Sequence, residues 1–406
     1  MNSQTTADNN TAVGYDSLYF TTTGANNSAF GKSALQNNTT GNANTAVGKD
    51  ALSSSTTANN NVAVGSFSLD TNTTGDNNVA IGVEALEKNT TANNNTAVGF
   101  QALEENTTGT KNLAVGALAL DANTTGGSNA AVGYNVLGAN TTGSYNVAMG
   151  DGALTSNTTA DDNTAIGISA LLVNTTGTQN VAIGNSTLDA CTTGTRNVAV
   201  GTSALSSSTS SSYNTAIGYG ALFANTGTQN AALGYAALLN STASDNVAVG
   251  NNALTNATTG TQNVAVGSLA LDANTTANNN TAVGYDCLGA NTTGAQNTAV
   301  GREAGQENTT GYNNTFVGEK AGESNTTGYN NTAVGRFAFN SNATGVQCVA
   351  IGVEALEKNT ANNNTAVGYQ ALEDNTSGTQ NTAVGTHALD ANTTASENTA
   401  VGYNAL

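Results

Sequence analysis

Apolar positions return along this chain at a spacing that suits neither a long helix nor an ordinary sheet. The block Asn95-Thr96-Ala97-Val98-Gly99-Phe100-Gln101-Ala102-Leu103 occurs, with variation, twenty-four times. Its reference glycines run from Gly14 to Gly402. Twenty of the twenty-three intervals are 17 residues and three are 16. A fixed short period of this kind is the signature of a solenoid.

Counted from each glycine, the residue four before is Asn in 23 of 24 units, Cys348 being the exception. Two before is Ala in 23 of 24 (Phe316 differs), and the residue just before is always apolar. Four after is Leu in 21 of 24, failing at Gly305, Gly322 and Phe339. A Thr-rich arc such as Asn106-Thr107-Thr108-Gly109 follows. Helix is excluded, because glycine and β-branched residues recur in every turn of it. The pattern predicts an all-β fold, a parallel β-solenoid or β-roll of about 24 coils. Two short strands per coil are expected, Asn95–Val98 and Ala102 to about Glu104. Val98 and Leu103 are expected on one side and Ala97 on the other. Gly99 is expected at a corner needing positive φ or close backbone approach. The 16-residue units lose their residue in the arc, at Asn225-Thr226-Gly227, Leu239-Asn240 and Asn359-Thr360-Ala361. The arc therefore reads as a loop and the block as the framework.

Stacking places like over like, so Asn95, Asn112 and Asn129 form a ladder beside those of Val98, Gly99 and Leu103. The expected organisation is one continuous array over residues 1–406 with no separate caps, a rod of roughly 115 Å at ~4.8 Å per coil. One Val and one Leu bury little against the entropy of ordering seventeen residues. Ladder hydrogen bonds must therefore contribute, and a second apolar contact, in a homotrimer or a bundle, is expected to help.

Composition narrows the function. Only 9% of residues are charged and the formal net charge is −18, so no basic stripe exists to neutralise phosphates and nucleic acid is excluded as a partner. The start, Met1-Asn2-Ser3-Gln4-Thr5-Thr6, has no basic or apolar leader pattern. No apolar run approaches the ~18 residues that membrane insertion requires. Chemistry is equally sparse. His387 is the only histidine, and Cys191, Cys287 and Cys348 fall at three different repeat positions, several coils apart. The acids Glu104, Glu105, Asp161, Asp162 and Glu357 read as solvated faces. The Gly-Gly-x-Gly-x-Asp repeats of calcium rolls are missing. No catalytic residue, metal ligand or cofactor is assigned, and an enzyme is not expected.

Three features stand outside the regular pattern. The units at Gly301, Gly318 and Gly335 lose two leucines and gain Phe316, Phe337 and Phe339, which reads as local repacking at conserved volume. Tyr follows the glycine in seven units, including Tyr219 and Tyr235, and such aromatics can grip surface glycans. Many Asn-x-Thr sequons occur, Asn106-Thr107-Thr108 among them.

The Asn-Thr-Ala-Val-Gly…Ala-Leu block resembles the Ser-Val-Ala-Ile-Gly-type head repeats of trimeric autotransporter adhesins. It is more similar still to the Asn-Thr-Ala-Val-Gly-x-x-Ala-Leu-x-x-Asn-Thr-Thr-Gly arrays of tail-fibre-like phage and bacterial surface proteins. The resemblance covers the whole chain and implies a parallel β-roll, commonly trimeric, with structural or adhesive duty. The period is longer than in the adhesin heads, and no coiled-coil stalk or anchor is present in these residues.

The chain stops at Tyr403-Asn404-Ala405-Leu406, just after a unit's Leu, and starts with an arc, Asn2 to Asn10. Leu406 through Asn2 to Gly14 spans 13 steps, as Leu103 to Gly116 does. An assembly interface of Asn2, Ser3, Gln4, Thr5, Thr6, Tyr403, Asn404, Ala405 and Leu406 is therefore expected to complete a coil between molecules. A contact of that kind is heterologous and grows a filament. The resulting expectation is a head-to-tail subunit of an extracellular fibre on a cell or virion surface. The alternative is an adhesin or phage tail-fibre shaft with receptor or glycan contacts.

Overall fold

A computed structural model describes residues 6–406 as two units, residues 6–203 and residues 204–406. Each is a parallel β-solenoid. The first contains twelve three-residue strands, from β1 (Thr11–Val13) to β12 (Val198–Val200), each paired in parallel with the next. The second contains twelve more, from β13 (Thr215–Ile217) to β24 (Thr399–Val401). No helix occurs among the described residues. Register is residue for residue: Thr96 sits opposite Leu113, Ala97 opposite Ala114 and Val98 opposite Val115.

One strand per coil forms, not two. Ala102–Glu104 is turn, because Gln101 and Leu103 both lie in the left-handed region, at φ 54°. Asn94, just before the ladder asparagine, is left-handed as well, at φ 61°. Left-handed backbone costs ~1–2 kcal/mol for an L residue. It persists here because these turns hydrogen-bond to neighbouring coils. Gln101 N–H donates back to Val83 O at 3.0 Å, while Leu103 N–H donates forward to Ala119 O at 3.0 Å. Gly99 meets both conditions expected of it. Its φ is +144°, and a Cβ there would lie 2.4 Å from Gly116 O.

The interior differs from the expected one in which residue faces in. Ala97, Ala102 and Leu103 are fully buried, and Val98 faces out. A three-residue strand facing a close turn leaves room for a methyl opposite Leu103, and the small strand residue goes inside. The other half of the interior is amide, since Asn95 and Asn106 are both fully buried. Where Leu is lost, Phe316 fills the space. A Cβ on Gly322 would lie 2.5 Å from its ring, and one on Gly305 would lie 2.7 Å away. Phe339 is buried in the Leu position, whereas Phe337 stands outside under Arg336, whose guanidinium lies 4.5 Å from the ring centre.

The reversed facing has a direct test in amide hydrogen exchange of the coils flanking β6 (Thr96–Val98). Ala97→Val should overpack the interior and cost about 1–3 kcal/mol of local stability. Val98→Thr should change it by less than about 0.5 kcal/mol. The reverse order would mean that valine is the core residue.

Candidate interaction surface

The outward face of each unit's sheet is built from two columns of side chains, the first and third residues of every strand. The third is always Val, Ile, Leu, Met or Phe, and the first is mostly Thr or Val. No charged residue enters either column in any of the 24 strands. These side chains are not hidden by the rest of their own unit. Ile81 is 41% exposed, Met149 48%, Leu113 38% and Val147 42%. A regular apolar face left open to solvent on this scale marks an interaction surface. The strongest sequence signal for it was the invariant apolar residue before each glycine, which reads equally well as core until the strand is known to have only one inward residue.

Behind that face run two asparagine ladders. Asn95 Oδ1 accepts the N–H of Asn112 at 2.9 Å, and Asn112 Oδ1 accepts that of Asn129 at 3.0 Å. Asn95 Nδ2 donates to Gly109 O at 2.9 Å, tying the arc to the strand. The second ladder lies in the arc, whose composition predicts a loop. Asn106 Nδ2 donates to Asn89 Oδ1 at 3.0 Å and to Gly109 O at 3.0 Å. Thr107 Oγ1 donates to Thr124 O at 3.0 Å. In two of the shortened coils the ladders meet: Asn230 Nδ2 donates to Asn225 Oδ1 at 3.2 Å and Asn364 Nδ2 to Asn359 Oδ1 at 3.0 Å. Substitution leaves gaps. Asn38 and Asn174 keep an Oδ1 with no partner where Ser55 and Cys191 replace the next amide.

Of the expected assembly residues, Asn2, Ser3, Gln4 and Thr5 lie outside the described residues. Thr6 is exposed and donates its N–H to Thr22 O at 3.3 Å. Tyr403 and Leu406 are strongly exposed. Asn404 N–H donates to Thr386 O at 3.0 Å, and Ala405 O accepts the N–H of Leu389 at 3.1 Å. Leu406 flanks an open hollow also lined by Leu389, Ala391 and Asn392.

Acids are not uniformly solvated, because the period stacks them. Glu84, Glu87 and Glu104 bring carboxylate oxygens within 4.8 Å of one another. Desolvation, then the charge of Glu84, raises Glu87 above the ordinary value. Desolvation also raises Glu104, with Lys88 working against it. Glu357 is raised in the same way in the near-duplicate coil, by burial and then by Glu354. The cysteines are buried and inert: desolvation pushes Cys191 and Cys348 up to about 11 and Cys287 to about 12. His387 Nδ1 lies 3.5 Å from Asp390 and its ring meets Tyr369 edge-on. Two pairs of tyrosines stack between coils: Tyr219 with Tyr235, centroids 5.5 Å apart, and Tyr312 with Tyr329, 4.8 Å apart.

Comparison with known proteins adds no identity: no family model matches the chain, and no curated protein matches its sequence.

Two outcomes follow from these environments. Glu87, Glu104 and Glu357 have folded-state values above their unfolded ones, so the native chain holds these protons more tightly. Stability is therefore lost as pH rises through the raised values and fully recovered only below 4.5, the unfolded value. Melting followed by circular dichroism should give a higher Tm near pH 4.5 than at neutral pH. Glu87→Gln should raise the neutral value, and the gain should shrink toward pH 4.5 and vanish below it. The sequons divide by burial: Asn106 is fully buried, whereas Asn94, in the sequon Asn94-Asn95-Thr96, is exposed. An oligosaccharyltransferase acting on the folded chain should leave Asn106 unmodified and modify it after denaturation, as read by peptide mass spectrometry.

Proposed function

We propose that this chain is the structural shaft of an extracellular fibre on a cell or virion surface, extended by molecules adding head to tail. The observation that carries this reading is the contact between successive coils. It joins one edge of a coil to the opposite edge of the next, with the same register at every step within each unit. A heterologous contact of that kind between molecules elongates and does not close. The rest of the molecule suits such a role. Its interior is filled by Ala, Leu and Asn, its cysteines are inert, and with nine Lys and Arg in 406 residues it offers few sites to trypsin-like proteases.

A second reading, a shaft that also grips glycans, is favoured by the stacked tyrosines. Tyr219, Tyr235 and Tyr312 are 58%, 54% and 43% exposed and present flat aromatic area to solvent. Sugar rings pack on such surfaces through their apolar faces.

Negative-stain electron microscopy of the chain at micromolar concentration tests the fibre. Uniform filaments many times the length of one chain are expected. Gly402→Ala is the matching variant, because an added Cβ at Gly402 meets no further coil, only Ala405 Cβ at 4.0 Å. Alanine is strained at this position's φ of +132°, so the last turn should shift while the coils before it keep their fold. Addition of the next molecule, whose glycine would approach as closely as Gly116 approaches Gly99, should be blocked. Discrete particles of single-chain length from the unsubstituted chain would overturn the proposal.

A further inference from the structure

We infer that the outward sheet face of residues 6–203 is a pairing surface for a second copy of this chain, packed sheet against sheet. The inference stands apart from the fibre reading, since lateral pairing and end-to-end growth use different surfaces.

The face in this unit is more apolar than its counterpart. In β4 (Val62–Val64), β5 (Val79–Ile81), β7 (Leu113–Val115), β9 (Val147–Met149), β11 (Val181–Ile183) and β12, both outward residues are bulky and apolar. In residues 204–406, Thr holds the first column at every strand from Thr281 to Thr332 and from Thr365 to Thr399. The apolar columns have one polar margin and one mixed margin. On one side stand the left-handed residues before the ladder asparagines, including Asn60, Asn94, Lys111 and Asp162. On the other stand the residues after the reference glycines. These mix charged positions such as Lys32, Lys49 and Asp151 with exposed apolar ones such as Val83, Phe100 and Ile168, and so widen the apolar strip in places. An apolar strip flanked by polar residues along one edge fits the apolar centre and polar rim of a protein interface.

Two arguments select a copy of this chain as the occupant. The first is spacing. The side chains rise in rungs one coil apart, in residue-for-residue register, over twelve strands. A second copy carries knobs at that same interval and interdigitates along the full length, whereas a surface without the period meets only a few rungs. The second argument is area. Twelve rungs of ~4.8 Å across a strand roughly 10 Å wide offer on the order of 600 Å² per copy. A pair then buries about 1,200 Å² in total, the lower limit of stable interfaces. The pair should therefore be reversible and dependent on concentration. Charge permits the contact: neither column carries any, so two copies bring no like charges together at its centre, despite a net charge of −18 on each.

Sedimentation velocity across the micromolar range reads the outcome. It is run on the Gly402→Ala chain so that end-to-end growth is absent, and the two proposals then fail separately. The mass should rise from one chain to two with concentration. The double variant Leu113→Glu/Val147→Glu alters two exposed, outward side chains and should keep its circular dichroism while weakening pairing at least tenfold. Thr382→Glu, in the same column of residues 204–406, should pair as before. A single-chain mass throughout the range overturns the inference, as does pairing that survives the double variant. A monomer that shows thermal hysteresis also overturns it, and assigns the flat face to ice instead.

Discussion

Because each coil orders only three residues as strand, most backbone N–H groups find their acceptors one coil away and on turns, not within a sheet. Leu103 to Ala119, Gln101 to Val83 and Thr107 to Thr124 are all of this kind. Asparagine extends the scheme to side chains: Asn95 receives the amide of Asn112 and binds the arc through Gly109. A coil cut from this stack would lose nearly every partner it has. Cohesion therefore runs along the stack, and the modest interior of Ala97, Ala102 and Leu103 only has to exclude water.

That dependence accounts for features that would be faults in a globular protein. Leucine recurs in left-handed conformation, because the turn it occupies is held from both sides. Glutamates such as Glu87 and Glu104 stand above one another, because a period of 17 brings like positions of successive coils into line. The same logic explains why substitutions cluster. Phe316 requires glycine in place of leucine both in its own coil, at Gly322, and in the coil before, at Gly305.

The outward valine column follows from the narrowness of the coil. An interior that accepts one methyl from the strand pushes its two neighbours outward, and every coil contributes another pair to a face without charge. The structure thus separates two kinds of contact. Edges of coils meet along the axis, through backbone and amide groups. The sheet faces sideways and is apolar. Lateral and axial association are chemically distinct for this reason, and they respond to different substitutions.

The period, the parallel stacking, the glycine corner and the asparagine ladder were all legible in residues such as Asn95 and Gly99. A coil that repeats must place identical groups in identical surroundings, and only a stack does so. The facing of Ala97 and Val98 was not legible, since alternation sets them on opposite sides without saying which side is inside. That was decided by the left-handed turn at Gln101 and Leu103, which replaces the expected second strand and closes the interior down to a methyl. The buried arc ladder at Asn106 was hidden for a related reason. Asn-Thr-Thr-Gly has the composition of a solvent loop, and only the neighbouring coil, supplying Asn89 Oδ1 and Thr124 O, turns those polar groups into an interior.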